Sequence, residues 1–381
     1  MNNNMIWKFK YYDVEKGMDW TSMSNECQWF RDMKEVPQDK IWHAEGDVQI
    51  HTIMVCEALA KLPEFIALDA QAKHIVMTSA VMHDIEKRST TAEEFRDGRM
   101  CIVAPRHAKK GEYTAREILY KDFECPFKIR EYICKLVRWH GKPLHALVDD
   151  NIGIKSLVSI SWQVPMHWLA MLAKADILGR TCEDEAEQLE KIEFFKLYCE
   201  DLGCLHTPRP FKSLLARHTY LSKDGYLDYE PFDETKFTVH MMSAIPGSGK
   251  DTYIKKNFGH LPVVSLDAIR EEMGIKPTDK EGNGRVIQEA KERAKVHMRK
   301  REDFVWNATN ITTQLRGQLI DLFESYGGKV KITYVEVPYK TLIQQNSNRE
   351  AAVPLPVIER MIGKLEIPQY DEAFDIDYFV K

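Results

Sequence analysis

The sequence predicts a multidomain chain, an all-α domain followed by an α/β domain built on a parallel sheet, and three observations predict it. With 381 residues and 44% hydrophobic content, the chain is long enough for two ordinary cores. Residues 20–221 read as mostly helical, with amphipathic stretches at 75–85, 113–120, 128–139 and 183–199 and few strand signals. From Phe237 onward, short apolar runs alternate with helical segments, the pattern of parallel strands joined by crossover helices.

The helical part comes first and is expected to end in a connector at 222–236, SKDGYLDYEPFDETK, rich in turn formers and acids. Domains of 1–225 and 226–381 follow from that placement. The strands of the second domain are expected at 237–243, 262–265, 303–306 and 330–337. No apolar run reaches eighteen residues, and MNNNMIWKFKYYD lacks the features of an export signal, so a cytoplasmic protein with no membrane association is expected. Eight scattered cysteines without a CxxC pair read as reduced thiols. The net charge of −5, from 53 basic and 58 acidic residues, excludes a protein that coats long duplexes, but not one that grips a strand end through a local basic patch.

Two constellations carry chemistry. In the helical part His51, the dyad His83-Asp84, His107, His140 and Asp176 occur in that order, with Lys87 in HDIEK after the dyad. Imidazoles mixed with carboxylates suit divalent transition metals such as Mn, Co, Ni, Fe or Zn, whereas magnesium prefers oxygen alone. His43, in WHAEGDV, reads as a ligand, a proton donor or a structural histidine, with a lining, non-ligand role favoured. Lys87, Arg106 and Arg180 flank these positions and suit phosphate oxygens or plain ion pairs.

The ordered series resembles the HD phosphohydrolase superfamily over most of residues 40–220. The resemblance implies that His51, His83, Asp84 and Asp176 hold one metal, that Asp84 bridges to a second, and that His107 and His140 ligate the second. Two such ions polarise a phosphoryl oxygen and supply hydroxide near neutral pH, which phosphoester hydrolysis requires.

In the second part the strand FTVHMMS runs into AIPGSGKDT, which resembles the Walker A phosphate loop. Gly247, Ser248 and Gly249 bring backbone N–H groups to phosphates at a helix N-terminus, and Lys250 reaches the β and γ oxygens. Ala244 replaces the first glycine, and Asp251 followed by Thr252 occupies the usual magnesium-binding position, so either residue is a candidate for Mg²⁺ supplied with ATP or GTP.

Downstream, Asp267 and Arg270 in LDAIR resemble the acceptor motif of polynucleotide kinases. There the aspartate takes the proton of a 5′-hydroxyl and the arginine holds the adjoining phosphate; helix capping is the structural alternative for Asp267. FVWNATNITTQLR matches the family's strand-end segment through Asn307, Thr309, Asn310 and Arg316, with Arg316 given little weight as a surface residue. QQNSNREAAVPLPVIERM resembles its lid, placing Arg349 on the transferring phosphate and Gln345 where a second arginine often stands. The basic helical segment 282–301 reads as a solvated face or a strand-binding surface.

The order of modules resembles the bacterial HD-Pnk end-healing enzymes. It implies an NTP-dependent 5′-hydroxyl kinase, in which Lys250, Asp267 and Arg349 are catalytic, and a 3′-phosphatase and 2′,3′-cyclic phosphodiesterase in which Asp84 is. Such an enzyme acts on DNA or RNA ends ahead of a ligase. The alternatives are an HD nucleotidase fused to a nucleoside or metabolite kinase, and a non-catalytic nucleotide-binding regulator.

Overall fold

The computed structural model describes residues 6–96, 98–145, 152–223, 225–349 and 351–381; residues 1–5 of the stretch read for a leader lie outside them. The chain divides into two compact units, Met1–Pro210 and Phe211–Lys381.

The first unit opens with the ribbon β1 (Tyr12–Asp13) and β2 (Gly17–Met18) and the short helices α1 (Trp20–Glu26) and α2 (Gln28–Arg31). Then come α3 (Val48–Lys61), α4 (Pro63–Ile66), α5 (Ala70–Met82) and α6 (Lys87–Thr90). A hairpin, β3 (Ala92–Arg96) and β4 (Arg99–Val103), precedes α7 (His107–Lys121), α8 (Phe127–Trp139), α9 (Lys142–His145), α10 (Ile152–Ser161), α11 (Met166–Leu178) and α12 (Glu185–Asp201). The two antiparallel ribbons correct the all-α expectation. All five residues of β3 are solvent-exposed, so no apolar alternation announced that strand.

Caps start the central helices. Asp47 accepts from Ile50 N ahead of α3, and Asp69 accepts from Ala72 N ahead of α5. Helix α5 is buried at ten positions from Ala72 to Met82, so it runs through the middle of the unit. Helices α3, α8 and α11 pack around it through Val55, Leu59, Leu136, Val137, Leu172 and Ala173.

Helix α7 is bound to α8 by buried charges. Glu112 Oε1 stands 2.8 Å from both Arg116 Nη2 and Lys135 Nζ, and Arg116 Nη2 lies 2.9 Å from Glu131 Oε2. Burial raises the Glu112 pKa, but Lys135 and Arg116 outweigh it and bring it down to about 2.

The second unit begins with α13 (Leu214–Ser222) and continues β5 (Phe237–Ala244), α14 (Lys250–Asn257), β6 (Val263–Ser265), α15 (Leu266–Glu272), α16 (Lys280–Lys300) and β7 (Phe304–Asn307). It ends with α17 (Thr313–Ser325), β8 (Gly328–Glu336), α18 (Tyr339–Ser347), α19 (Leu355–Ile362) and β9 (Asp375–Val380). Among the described residues the sheet has five strands in the order β6-β7-β5-β8-β9, all parallel. Strand β9, with half-exposed and exposed positions, is the one the sequence pattern did not reveal.

Alternation sorts the two sheet faces. Val239, Met241, Phe304, Trp306, Val330 and Ile332 pack against Ile269 of α15, Val286 to Met298 of α16 and Leu319 to Phe323 of α17. Met242, Ala244, Val305 and Val335 pack against Ile254 of α14. Helix α13 belongs to this unit, not to the first as the 225/226 boundary had it: Arg217 Nη2 donates to Phe374 O at 2.9 Å, and His218 Nε2 meets Glu324 Oε1 at 2.6 Å. Among the described residues no helix is long and apolar enough to cross a membrane. All eight cysteines are free thiols, seven of them buried.

A carboxyl whose pKa is depressed on folding stabilises the native state above its unfolded value and loses that contribution as pH falls toward the folded value. The thermal stability of the first unit is therefore expected to fall progressively from about pH 5, where Glu112 of the unfolded chain begins to take up a proton, down to about pH 2, where it is protonated in the folded unit as well. Glu112→Gln should cost on the order of 3 kcal/mol at pH 7, as loss of one partner from a buried ion pair does, and should flatten that acid dependence. An unaltered melting profile would count against the network.

Candidate functional site

In the first unit α5 and the four helices α3, α7, α8 and α11 bring the histidine and aspartate series together. His51 lies one turn into α3, His83 caps the C-terminus of α5 with Asp84 following, His107 opens α7, His140 caps α8, and Asp176 lies in the last turn of α11. Helix α11 approaches α3 closely because its C-cap is Gly179, where a Cβ would stand 2.5 Å from the backbone N and Cα of Val55. Any larger residue there pushes Asp176 away from His51.

Asp84 is the centre. Its Oδ2 lies 3.2 Å from His83 Nε2 and 3.7 Å from His51 Nε2, and its Oδ1 lies 3.3 Å from His107 Nε2 and 3.8 Å from His140 Nε2. Asp176 Oδ1 is 3.2 Å from His51 Nε2. The carboxylate thus separates two donor groups: His51, His83 and Asp176 at one oxygen, His107 and His140 at the other.

The outer ring nitrogens set the tautomers. His83, His107 and His140 each donate Nδ1–H to the carbonyl three residues earlier, those of Ala80, Ala104 and Val137, at 2.7, 2.8 and 2.8 Å. His51 Nδ1 is 2.9 Å from Glu45 Oε1. With the proton on Nδ1, the Nε2 lone pairs of His83, His107 and His140 point inward, and those of His107 and His140 confront each other at 3.3 Å with no hydrogen to share.

Burial and its neighbours His83 and His107 lower the His140 pKa to about 3, and burial likewise lowers His107, so both rings are neutral at pH 7. His51 is raised instead, because Asp176 and Glu45 outweigh its burial. Burial works against the charged forms of Asp84 and Asp176. Lys87 and His83 for Asp84, and Arg180 and His51 for Asp176, outweigh it, and both carboxyls titrate well below the usual range.

Among the described residues, His51 Nε2, His83 Nε2 and both oxygens of Asp84 are buried without a hydrogen bond. Buried lone pairs facing one another cost free energy unless a cation lies among them. Neutral imidazoles and carboxylates in this arrangement fit divalent transition metals, and the division at Asp84 fits two ions.

The accessory residues are placed as follows. Lys87 Nζ is 2.7 Å from Asp84 Oδ2 and donates to Gln38 Oε1 at 2.8 Å. Arg180 Nη2 is 3.4 Å from Asp176 Oδ2, and Arg106 is exposed in the left-handed conformation (φ 59°) just before His107. His43 stands outside the Asp84 group, its Nδ1 2.9 Å from Glu45 Oε1 and its ring 4.6 Å from that of His51. Burial lowers its pKa to about 4. Sequence reasoning missed Glu45, although an acid between His43 and His51 was the available signal, and it missed Gln38, which carried none.

In the second unit the loop between β5 and α14 places Gly247 at φ 94° and Gly249 at φ 88°, conformations that favour glycine. A Cβ on Gly247 would also stand 3.1 Å from Asn346 Cβ and 3.2 Å from Leu342 O, so α18 lies directly against the loop. Ala244 is the last residue of β5, paired with Val335 and buried in the α14 face, which is why a small apolar residue replaces glycine there. Ser248 Oγ donates to Ile245 O at 2.7 Å and closes the turn.

Lys250 reaches Asn307 Oδ1 at the end of β7 and lies 3.1 Å from Asp251 Oδ1, while Asn307 Nδ2 donates to Asp251 Oδ1 at 3.0 Å and to Ser265 Oγ at 3.4 Å. Burial pushes the Asp251 pKa up, but Lys250, Asn307 and Arg349 prevail and hold it below its ordinary value. Arg349 is half-buried, while Gln345 and Thr252 are exposed.

Ser265 caps α15 by accepting from Ala268 N, so Asp267 is not the capping residue. Its carboxylate is paired with Arg270 Nη1 instead. Asn310, at φ 45°, donates to Met242 O at 2.7 Å, and Thr309 O accepts from Ala244 N at 2.9 Å. Arg316 is not a surface residue. It is fully buried, with Nε and Nη2 on Glu372 at 2.7 and 2.9 Å and Nη1 on Asn310 O at 3.0 Å, and so it fixes the strand-end segment.

Comparison with known proteins agrees with this geometry in the second unit. Residues 239–368 match the family model described as "AAA domain", and the unit is an α/β domain with a glycine-rich phosphate-type loop between its central strand and the following helix. The "Multifunctional CCA protein" of Psychromonas ingrahamii is 29% identical over 163 residues, 40% of this chain, and the chain spans about a third (34%) of that relative's length. Two solved structures also resemble part of the chain. One, from Chloroflexus aurantiacus and provisionally described as a kinase, shares 14% identity at a TM-score of 0.34 over 39% of this chain and 86% of its own. The other, a sugar kinase from Janibacter sp. HTCC2649, shares 18% at a TM-score of 0.29 over 38% and 84%.

Equilibrium dialysis against Mn²⁺ followed by elemental analysis is expected to give two ions per chain. His140→Ala should retain one, and Asp84→Ala should lower affinity for both. Glu45→Gln should weaken binding about 10–100-fold in chelator competition, as loss of a carboxylate behind a ligating imidazole does. Binding of two ions by Asp84→Ala at undiminished affinity would remove the proposed centre.

Proposed function

We propose that the chain heals broken nucleic-acid ends, with a metal-dependent hydrolase of 3′-phosphates and 2′,3′-cyclic phosphates in the first unit and an NTP-dependent 5′-hydroxyl polynucleotide kinase in the second. The observation that carries the polynucleotide assignment is the Asp267–Arg270 pair at the start of α15. Its cap Ser265 is tied through Asn307 to the phosphate-loop lysine Lys250. A carboxylate for a hydroxyl proton and a guanidinium for a neighbouring phosphate, both tethered to the donor loop, are what phosphorylation of a strand's 5′ end requires. A free sugar acceptor has no use for the guanidinium.

In this kinase Lys250 holds the β and γ oxygens of ATP or GTP, and the glycine-lined loop supplies backbone N–H groups. Asp267 orients the 5′-hydroxyl and accepts its proton as oxygen attacks the γ phosphorus and the bond to the bridging oxygen breaks. Arg349 neutralises charge on the equatorial oxygens, a contribution on the order of 10³-fold in comparable phosphoryl transfers. Mg²⁺ held with the donor by Asp251 supplies further charge neutralisation.

In the hydrolase, His51, His83, Asp84 and Asp176, together with His107 and His140, would hold the divalent ions, whose chemistry when bound would be Lewis acidity toward phosphoryl oxygens and acidification of water. Lys87 and Arg180 hold the remaining phosphate oxygens. His43, lying outside the ligand group with a low pKa, lines the site. The ends produced, a 3′-hydroxyl and a 5′-phosphate, are those a polynucleotide ligase joins on DNA or RNA.

The test is a short strand bearing a 5′-hydroxyl and a 3′-phosphate, incubated with ATP or GTP, Mg²⁺ and Mn²⁺, both ends being resolved separately. The wild type should gain the 5′-phosphate and lose the 3′-phosphate. Asp84→Ala is expected to lose 3′ hydrolysis by 10²-fold or more with the kinase retained, and Lys250→Ala or Asp267→Ala the reverse. If neither end changes, small nucleotides become the substrates to screen.

A further inference from the structure

Arg270 is not aimed by Asp267 alone. Its Nε donates to Asn283 Oδ1 at 2.9 Å, from the first turn of α16. Asn283 is itself locked, since its Nδ2 donates to Pro277 O at 2.8 Å and to Asp279 O at 2.7 Å. Both amide hydrogens are used on carbonyls, so only the amide oxygen faces the guanidinium.

The loop around it is held firmly. Ile275 N donates to Arg270 O at 3.0 Å, Asp279 caps α16 through Gly282 N at 2.9 Å, and a Cβ on Gly282 would stand 2.5 Å from Asp279 Oδ2 and 2.6 Å from Ile275 Cγ2. The α15–α16 connection therefore presents the Asn283 oxygen at a fixed point.

A guanidinium has five N–H groups. Here Nε is taken by Asn283 and one Nη1 hydrogen by Asp267, and Nη2 has no partner among the described residues. Without Asn283, the arginine is tied at Nη1 alone and its plane turns freely about that contact. With Nε held as well, two points fix the guanidinium plane. Nη2, without a partner among the described residues, is then left at a set position for an anion.

We propose that Asn283 is the positioning residue that sets acceptor choice in the kinase: by aiming Arg270 it makes the site prefer a 5′-hydroxyl nucleoside continuing into a 3′-phosphodiester over a free nucleoside. The proposal rests on the polynucleotide-kinase reading and adds a residue and a specificity to it.

The test compares a 5′-hydroxyl dinucleotide with the corresponding nucleoside as acceptors for the full chain with ATP and Mg²⁺. The dinucleotide has no terminal phosphate for the first unit to remove. For Asn283→Leu, the KM of the dinucleotide should rise about tenfold. The KM of ATP should be unchanged, and kcat/KM for the nucleoside should move less than about twofold, so the preference collapses.

Because Asn283 also braces the loop, Asn283→Leu is then made in an Arg270→Ala background. If Asn283 acts through Arg270, the second substitution adds nothing to the dinucleotide KM; an additive loss overturns the proposal and leaves a loop brace. Wild-type acceptor preference with an unaltered Asn283→Leu variant overturns the role of Asn283 alone. A wild type that phosphorylates nucleoside and dinucleotide equally well overturns it together with the polynucleotide reading.

Discussion

Asp84 is a fully buried carboxylate whose two oxygens face four imidazole nitrogens, and the first unit is arranged to make that tolerable. Removing such a group from water is costly unless positive charge or hydrogen bonds replace the solvent. Helix α5 runs through the interior to deliver it, α3 and α11 meet at Gly179 so that His51 and Asp176 flank one oxygen, and the charge-linked pair α7 and α8 brings His107 and His140 to the other. Backbone carbonyls one turn back then fix the rings of His83, His107 and His140 with their lone pairs inward, and Glu45 lies behind His51. Buried groups that face one another with so few hydrogen bonds depart from optimal packing, as candidate functional sites generally do.

The second unit follows a different rule. In a parallel sheet the carboxyl ends of all strands lie on one edge, and the central strand, where the order reverses, opens a crevice there. Strand β5 delivers the phosphate loop, β6 delivers Ser265 and then Asp267, and β7 delivers Asn307 to that edge. Asn307 joins them through Lys250, Asp251 and Ser265, so the phosphate-type loop and the start of α15 share one hydrogen-bond network. Arg316, buried with Glu372, holds the neighbouring strand-end segment rather than meeting solvent.

Much of this was legible from residue order. The HD dyad and its four companions, the GSGK loop after an apolar strand, and Asp267 with Arg270 one turn later stand out in the sequence by residue type and spacing, and the structure brings the members of each set close together. What escaped were features without local periodicity. Strand β3 is exposed on both faces, so nothing distinguishes its residues from a loop. Strand β9 mixes exposed and half-buried positions. Helix α13 reads as one more helix of the preceding series, and only its bonds to Phe374 and Glu324 assign it to the other unit. Arg316 reads as surface because its partner lies 56 residues away.

By itself the sequence determined the two modules, their order, and the chemical types at each candidate centre, since these depend on side-chain identity and on local helix and strand patterns. Only the tertiary structure decided which partners aim those groups: Glu45 behind His51, Gln38 on Lys87, Asn307 between Lys250 and Ser265, and Asn283 on Arg270. A positioning contact is a hydrogen bond between groups distant along the chain, and it leaves no period or motif. It exists only once packing has brought its two ends within about 3 Å.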